Sequence, residues 1–232
     1  MPAKVTDRPI DYREVDRWEG GVGWIAHPEE IMQRASHALA TEGGVWLVDP
    51  VDAEGVDDLI AEYGEVAGVV VLSNQHRRDA DAFARRHGVA VALPETMKGV
   101  ERELDAPVER LSVGETLGAY ELLEVARSDA WQEYALYDGE TLVASESVGG
   151  APYLRVGEER LGVMLPRRLT PPREALGGLD PERVLSGHGP GVHEDAAASL
   201  EDALANSRRR FPRAFLANGI DQIRTFTAAL RT

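Results

Sequence analysis

The stretch Ser73-Asn74-Gln75-His76-Arg77-Arg78-Asp79 joins a buried strand to a helix. The apolar run 69–72 before it predicts the strand, and the segment after it carries a helical pattern. Strand ends that lead into helix N-termini are where α/β proteins place metals, phosphates and catalytic groups. The polar side chains of this stretch, His76 and Arg78 above all, are therefore candidates for a functional site. The alternative is a plain helix start, since Asn and Asp are favoured there without any chemistry.

The pattern of apolar and polar residues predicts one domain over residues 1–232. Residues 20–50 predict a β-hairpin, and residues 50–93 predict a βαβαβ run in which helices pack on a sheet. From residue 119 the pattern predicts strands alone, with a hairpin turn at Asp138-Gly139. The chain has no internal repeat and no long linker. Its last elements are predicted to be a strand over 181–186 and two helices over 193–210 and 213–230, separated at Phe211-Pro212.

This order of elements resembles the metallo-β-lactamase-fold hydrolases over roughly residues 20–210. The turn Ser186-Gly187-His188-Gly189-Pro190 after the last strand is similar to the family's final histidine turn. The resemblance implies an α/β fold, specifically a four-layer αββα sandwich with metal ligands on loops along one sheet edge. The family's HxHxDH motif falls on the opening stretch. The positions that correspond to the family's metal ligands are held here by Asn74, His76, Arg78, Asp79, Asp129, Glu146 and His188.

The resemblance implies a metal site in which most ligands are replaced. Only His76 and His188 remain as histidines, while Asp129 and Glu146 offer carboxylate oxygens. The predicted metal ligands are these four residues. Fewer ligands lower the affinity, and oxygen ligands shift the preference from Zn²⁺ toward Mn²⁺ or Mg²⁺. The sequence thus predicts no cofactor or one weakly bound divalent metal.

Arg78 stands where the family has a ligand of its second metal. A guanidinium at this position repels a second cation and can pair with Asp79, Asp129 or Glu146. We hypothesise that Arg78 replaces the second metal electrostatically. On this reading the predicted catalytic residues are His76, Arg78, Asp79 and His188.

The chain is strongly acidic, with a net charge of −15 from 40 acidic and 25 basic residues. Only Lys4 and Lys98 are lysines. This balance suggests a salt-loving organism, in which a hydrated anionic surface keeps proteins soluble; a GC-rich genome, which favours Arg codons over Lys codons, is the alternative. No apolar run approaches the roughly 20 residues that span a bilayer, and no signal peptide is visible. We therefore expect a cytoplasmic protein without a membrane partner.

The densest basic cluster is formed by Arg208, Arg209, Arg210 and Arg213. It is either a helix C-terminus that favours cations or a phosphate-binding patch, with Phe211 available for stacking on a base. As a patch it predicts single-stranded RNA or a small anionic substrate as partner. The sequence gives no prediction of an oligomeric state.

Two functions compete on these observations. The first is a hydrolase with an eroded metal site, specifically a phosphodiester hydrolase acting on single-stranded RNA, since arginines stabilise the charge of its transition state. The second is a non-catalytic protein that keeps the fold and binds a ligand or partner in the same pocket. A small nucleotide-binding domain over residues 50–93 is disfavoured, because no glycine-rich phosphate loop follows either strand.

Overall fold

The structure, a computed structural model, describes residues 1–5 and 11–229. Within these residues two β-sheets pack face to face, and helices cover the outer face of each sheet. The predicted four-layer αββα sandwich is therefore confirmed. No helix in this part of the chain combines the length and hydropathy needed to cross a membrane.

The first sheet has seven strands in chain order. Its first four strands are antiparallel neighbours, and the last three are added in parallel through helical crossovers. The first strand and the last were not predicted from the sequence. The strands are β1 Arg13–Trp18, β2 Gly21–Ile25, β3 Ala35–Thr41, β4 Gly44–Val48, β5 Val66–Val70, β6 Val91–Pro94 and β7 Val108–Leu111.

The second sheet has five strands in the order β14-β11-β10-β9-β8. The predicted turn at Asp138-Gly139 is confirmed. Asp138 Oδ1 accepts hydrogen bonds from the amides of Glu140 and Thr141, and Gly139 adopts a φ of +98°. A two-stranded ribbon, β12 with β13, follows β11. The strands are β8 Thr116–Leu117, β9 Tyr120–Arg127, β10 Gln132–Tyr137, β11 Thr141–Ala144, β12 Val148–Gly149, β13 Gly162–Val163 and β14 Arg183–Ser186.

The helices divide between the two outer layers. The first three accompany the parallel strands of the seven-stranded sheet, and the others cover the five-stranded sheet. A 3₁₀ helix, Leu165–Leu169, packs against the last α-helix. The α-helices are α1 Val56–Ala61, α2 Ala80–His87, α3 Lys98–Glu101, α4 Arg173–Leu176 and α5 Ala196–Ala229.

The prediction of two C-terminal helices was wrong, because α5 is one helix with Pro212 inside it. Proline removes one backbone donor and disfavours a helix interior. Tertiary contacts on both sides of Pro212 outweigh this penalty. Ser207 before it donates to Arg168 O, and Gln222 after it accepts from Leu165 N and donates to Tyr153 O. Residue 230 of the predicted helix lies outside the described residues.

A buried carboxylate ties the first sheet to the loop after β14. Asp16 on β1 is 2% exposed and accepts hydrogen bonds from Gly191 N and His193 Nε2, with His37 Nε2 at 3.4 Å. Burial would raise the pKa of Asp16, but the two histidines and the Gly191 amide lower it to about 2. The Asp16 carboxylate thus links β1 to segments that are far from it in the sequence. Structural roles for His37 and His193 follow from these contacts.

Acid unfolding tests this contact. Because the folded pKa lies below the unfolded value, the carboxylate contributes stability above about pH 4, and that contribution disappears as the pH falls to about 2. The Asp16→Asn protein is expected to be about 2 kcal/mol less stable than wild type near neutral pH, with the gap closing toward pH 2. Denaturant unfolding of both proteins at several pH values measures this difference in the free energy of unfolding. The exposed Asp58→Asn is the control, and a gap that does not change with pH would contradict the assignment.

Candidate functional site

Three side chains from three strand ends meet at one edge of the sandwich. His76 lies in the loop after β5, Glu146 follows β11, and His188 follows β14. All three are buried. Since β11 and β14 are parallel neighbours, their carboxyl ends bring Glu146 and His188 to the same place. The structure therefore brings together three of the four predicted metal ligands.

The potential ligand atoms of this group all lie within 4.8 Å of one another. His76 Nε2 is 2.7 Å from Glu146 Oε1 and 3.1 Å from His188 Nε2. His188 Nε2 is 3.4 Å from Glu146 Oε2. Two ligands of a tetrahedral zinc ion lie roughly 3.3 Å apart. The separations are thus close to those that one bound ion requires.

The other ring nitrogen of each histidine is held by an acceptor. His76 Nδ1 donates to Asp49 Oδ2 at 2.7 Å, and His188 Nδ1 donates to Met32 O at 2.9 Å. These acceptors engage both Nδ1 atoms and leave both Nε2 atoms facing Glu146, where they can bind a metal once deprotonated. Metal-ligating histidines are oriented by partners of this kind. The donor set and its supporting contacts therefore fit a metal ion.

The charges in this group are strongly coupled. Burial would raise the pKa of Glu146, but His76 and His188 hold it well below its usual range. Burial and Arg78 act to lower the pKa of His76, while Glu146 and Asp49 outweigh them and raise it. The contact of His76 with Glu146 thus favours the charged form of both groups. A divalent cation would compete with a proton for His76 Nε2.

The Arg78 guanidinium lies beside the three ligands, but its partners differ from the prediction. It hydrogen-bonds no carboxylate among the described residues; instead it donates to three backbone carbonyls, those of Ala35, Asp49 and Gly187. Its Nη2 is 3.3 Å from His76 Nε2. Main-chain carbonyls fix the cation in place and leave the carboxylates free for other partners. Arg78 has a φ of +44°, an unfavourable backbone conformation that these contacts hold.

Besides Arg78, three residues on the family's ligand positions do not join the group. Asp129 was predicted as a ligand, but it is exposed in the loop between β9 and β10. Asp79 accepts a hydrogen bond from Asp52 N at 2.8 Å and stands at the N-terminus of α2. Asn74 binds the main chain of Ala130 and Gln132, which ties the opening stretch to the β9–β10 loop. The contacts of Asp79 and Asn74 with the main chain are therefore structural.

A cavity of about 910 Å³ opens onto the three residues. His76, Glu146 and His188 lie on its wall, together with Arg78, Asp79 and Asp129. Trp131 from the loop between β9 and β10 also lines the cavity. Apolar side chains from the 3₁₀ helix and from α5 form another part of the wall. The group is therefore accessible to a small ligand.

The basic cluster on α5 is not part of this wall. Arg210 pairs with Asp202 at 2.6 Å and lies 3.5 Å from Glu159. Arg208 donates to Leu169 O, and Arg209 and Arg213 are exposed. These contacts hold part of the cluster against the protein itself. A role of the cluster in binding RNA stays a prediction.

Glu133 on β10 is a site residue that the sequence reading missed. It is 1% exposed, and its carboxylate accepts hydrogen bonds from the amides of Glu146 and Ser147, from Ser147 Oγ and from Trp131 Nε1. A charged residue inside an otherwise apolar strand was the available signal. Asp49, which orients His76, was also missed; it follows β4 at the same sheet edge.

Glu133→Ala is expected to weaken metal binding by about 10- to 100-fold, as loss of an orienting group commonly does. The substitution frees the backbone of Glu146, so that its carboxylate is no longer held toward the histidines. Calorimetric titration with Zn²⁺ measures the change. Glu133→Gln keeps an acceptor oxygen for the two amides and should recover much of the affinity. If wild type and Glu133→Ala bind Zn²⁺ with equal affinity, Glu133 contributes to folding but does not orient the metal ligands.

Comparison with solved structures gives close agreement in fold at low sequence identity. DIM-1 metallo-β-lactamase superposes with a TM-score of 0.60 at 14% identity, over 88% of this chain and 99% of that one. A diflavin flavoprotein A 5 fragment from Nostoc sp. PCC 7120 gives 0.65 at 14% identity, over 88% and 99%. A flavo di-iron protein mutant from Thermotoga maritima gives 0.62 at 12% identity, over 85% of this chain and 62% of that one.

Neither a protein-family model nor a curated protein sequence matches this chain. Identities this low carry the fold and not the activity of those proteins. The superpositions cover most of this chain and match it as two packed sheets with helices. The chain therefore has the metallo-β-lactamase fold.

Proposed function

We propose that this protein is a hydrolase that works with a single divalent metal, held by His76, His188 and Glu146. The observation that carries the proposal is the convergence of two imidazole Nε2 atoms and one carboxylate within 4.8 Å, at the wall of a cavity. Two histidines and one glutamate are the ligand set of several catalytic zinc sites. The two imidazoles favour Zn²⁺ over the Mn²⁺ or Mg²⁺ that the sequence pattern suggested.

Each residue around the site has a role in this proposal. A bound divalent metal supplies Lewis-acid polarisation and lowers the pKa of water. Asp49 and the Met32 carbonyl keep the two imidazoles in the ligating tautomer. The Arg78 guanidinium, fixed by three carbonyls beside His76, supplies the positive charge that a second metal would otherwise bring. In this proposal the site contains one metal ion and the Arg78 guanidinium in place of two metal ions.

The substrate class we propose is a phosphodiester, whose transition state carries negative charge next to Arg78. A small phosphodiester suits a cavity of about 910 Å³. Single-stranded RNA is the polymeric form of the same bond. It draws support from the sequence pattern alone, because the α5 arginines are not on the cavity wall. Small and polymeric substrates are therefore separate arms of the test.

A non-catalytic, ligand-binding protein is the second candidate. It is favoured by the 2.7 Å contact between His76 and Glu146, which satisfies both groups without a metal. A protein of this kind would keep the cavity and bind an anion through His76 and Arg78. Its binding would not require Zn²⁺. The two candidates therefore differ in the effect of metal on binding and turnover.

The decisive experiment combines calorimetry with a hydrolysis panel. We expect one equivalent of Zn²⁺ to bind, and the loaded protein to hydrolyse bis(p-nitrophenyl) phosphate faster than a p-nitrophenyl ester or a thioester. A short single-stranded RNA tests the polymeric arm. Chelator-treated protein is the control. No heat with Zn²⁺, Mn²⁺ or Mg²⁺ would exclude the single-metal hydrolase and leave the ligand-binding protein.

A further inference from the structure

Tyr153 is a residue of the cavity wall whose hydroxyl makes no hydrogen bond to the rest of the described fold. It is 6% exposed and lies on the cavity wall. Its hydroxyl has no hydrogen-bond partner in the described part of the chain. Tyrosine hydroxyls usually find a hydrogen-bond partner, and this one keeps access to the cavity rather than being sealed in the core. The missing partner of Tyr153 is therefore sought in the cavity.

The position of Tyr153 is fixed from two sides. The turn that carries it is bonded to the ligand loop, because Ala151 N donates to His188 O at 2.9 Å. The carbonyl of Tyr153 itself accepts from Gln222 Nε2 of α5 at 3.0 Å. The ring stands edge-on to the His188 ring, with centroids 6.0 Å apart and planes at 89°. The side chain is thus held directly beside one metal ligand.

We propose that the Tyr153 hydroxyl donates a hydrogen bond to an anionic oxygen of the substrate, an inference that rests on the proposed function. Arg78 beside His76 supplies a charge, and Tyr153 beside His188 supplies a neutral donor, so an oxyanion bound near the three ligands is contacted by both. Donors placed where negative charge develops are a main source of catalysis.

The alternative is that Tyr153 only fills space. It belongs to a small apolar cluster with Ala151 and Leu154, which Ile31 and Met164 border. A phenylalanine would fill the same volume. The Tyr153→Phe protein, which differs from wild type only by the loss of the hydroxyl oxygen, therefore distinguishes the two roles.

The test measures the binding of inorganic phosphate by calorimetry, with the protein both metal-free and carrying one equivalent of Zn²⁺. Tyr153→Phe is expected to bind phosphate roughly tenfold more weakly than wild type, the usual effect of losing one hydrogen bond to a charged group. Its thermal midpoint without phosphate should equal or exceed that of wild type. Hydrolysis of the phosphodiester, where wild type shows it, should fall at least about tenfold.

Tyr137→Phe is the matched control, because its hydroxyl donates to Gly139 O at 2.8 Å outside the cavity wall. Equal phosphate affinity of wild type and Tyr153→Phe would overturn the inference, as would a lack of phosphate binding by either protein. If Tyr153→Phe binds phosphate more weakly than wild type but wild type hydrolyses none of the substrates, the hydrogen bond is upheld and the hydrolase is refuted. The failure of one proposal is thus distinct from the failure of the other.

Discussion

His188→Ala is expected to weaken Zn²⁺ binding by more than about 100-fold, a larger loss than that of an orienting group. The residue supplies one of three ligand atoms, 3.1 Å from His76 Nε2. With His188 gone, His76 and Glu146 remain in contact at 2.7 Å as an ion pair that resists the metal. Calorimetric titration of the metal-free protein gives the affinity, and phosphodiester hydrolysis should fall with it.

His87→Ala is the matched control for this substitution. His87 is partly buried at the end of α2, where it contacts Asp57 and not the cavity wall. Removing it changes the histidine count by the same amount without touching the site. Unchanged Zn²⁺ affinity in His188→Ala would show that the metal binds elsewhere, and the single-metal hydrolase would then lose its ligand set.

Glu159→Gln is expected to lower the free energy of unfolding by about 3–5 kcal/mol, the effect of breaking a buried ion pair from one side. Glu159 and Arg168 are 1% and 0% exposed and meet through two hydrogen bonds of 2.6 and 2.8 Å. Glutamine keeps the size but leaves the Arg168 charge buried without a counter-ion. For a chain of this length the thermal midpoint should fall by roughly 10 °C.

The exposed neighbour Glu158 provides the control, since Glu158→Gln removes the same charge at the surface. The pair lies in the connection between β12 and α4, which also carries Tyr153 and the 3₁₀ helix on the cavity wall. Its loss should therefore weaken phosphate binding as well as the fold. A midpoint within about 2 °C of wild type would mean that water or relaxation compensates the buried charge.

The sequence could predict most strands and helices and two ligand histidines because these depend on local patterns, whereas the four layers were implied by the family resemblance. The strand periodicity and the glycine turn around His188 are encoded within short windows. Glu146 was found by its distance from a recognisable strand. The family resemblance also placed Asp129 at a ligand position, and the structure puts it in an exposed loop instead. Short loops change length freely, so position along the chain does not fix a ligand.

Other residues of the site could not be found locally. Asp49 orients His76 from the end of a different strand, 27 residues away. Tyr153 reaches the site through the turn bonded to the His188 loop. Pro212 predicted a break in the last helix, but hydrogen bonds from its two flanks keep α5 continuous. Each of these depends on contacts that no single window contains.

The sequence by itself determined most of the central strands and helices, the acidic composition and the polar stretch 73–79 at a strand end. The tertiary structure alone decided which of these polar side chains share one site. It joins His76 with Glu146 and His188, leaves Asp129 in solvent, and gives the Arg78 charge to backbone carbonyls rather than carboxylates. The physical reason is that periodicity acts over a few residues, whereas a ligand set requires atoms from distant strands to meet within hydrogen-bond distance.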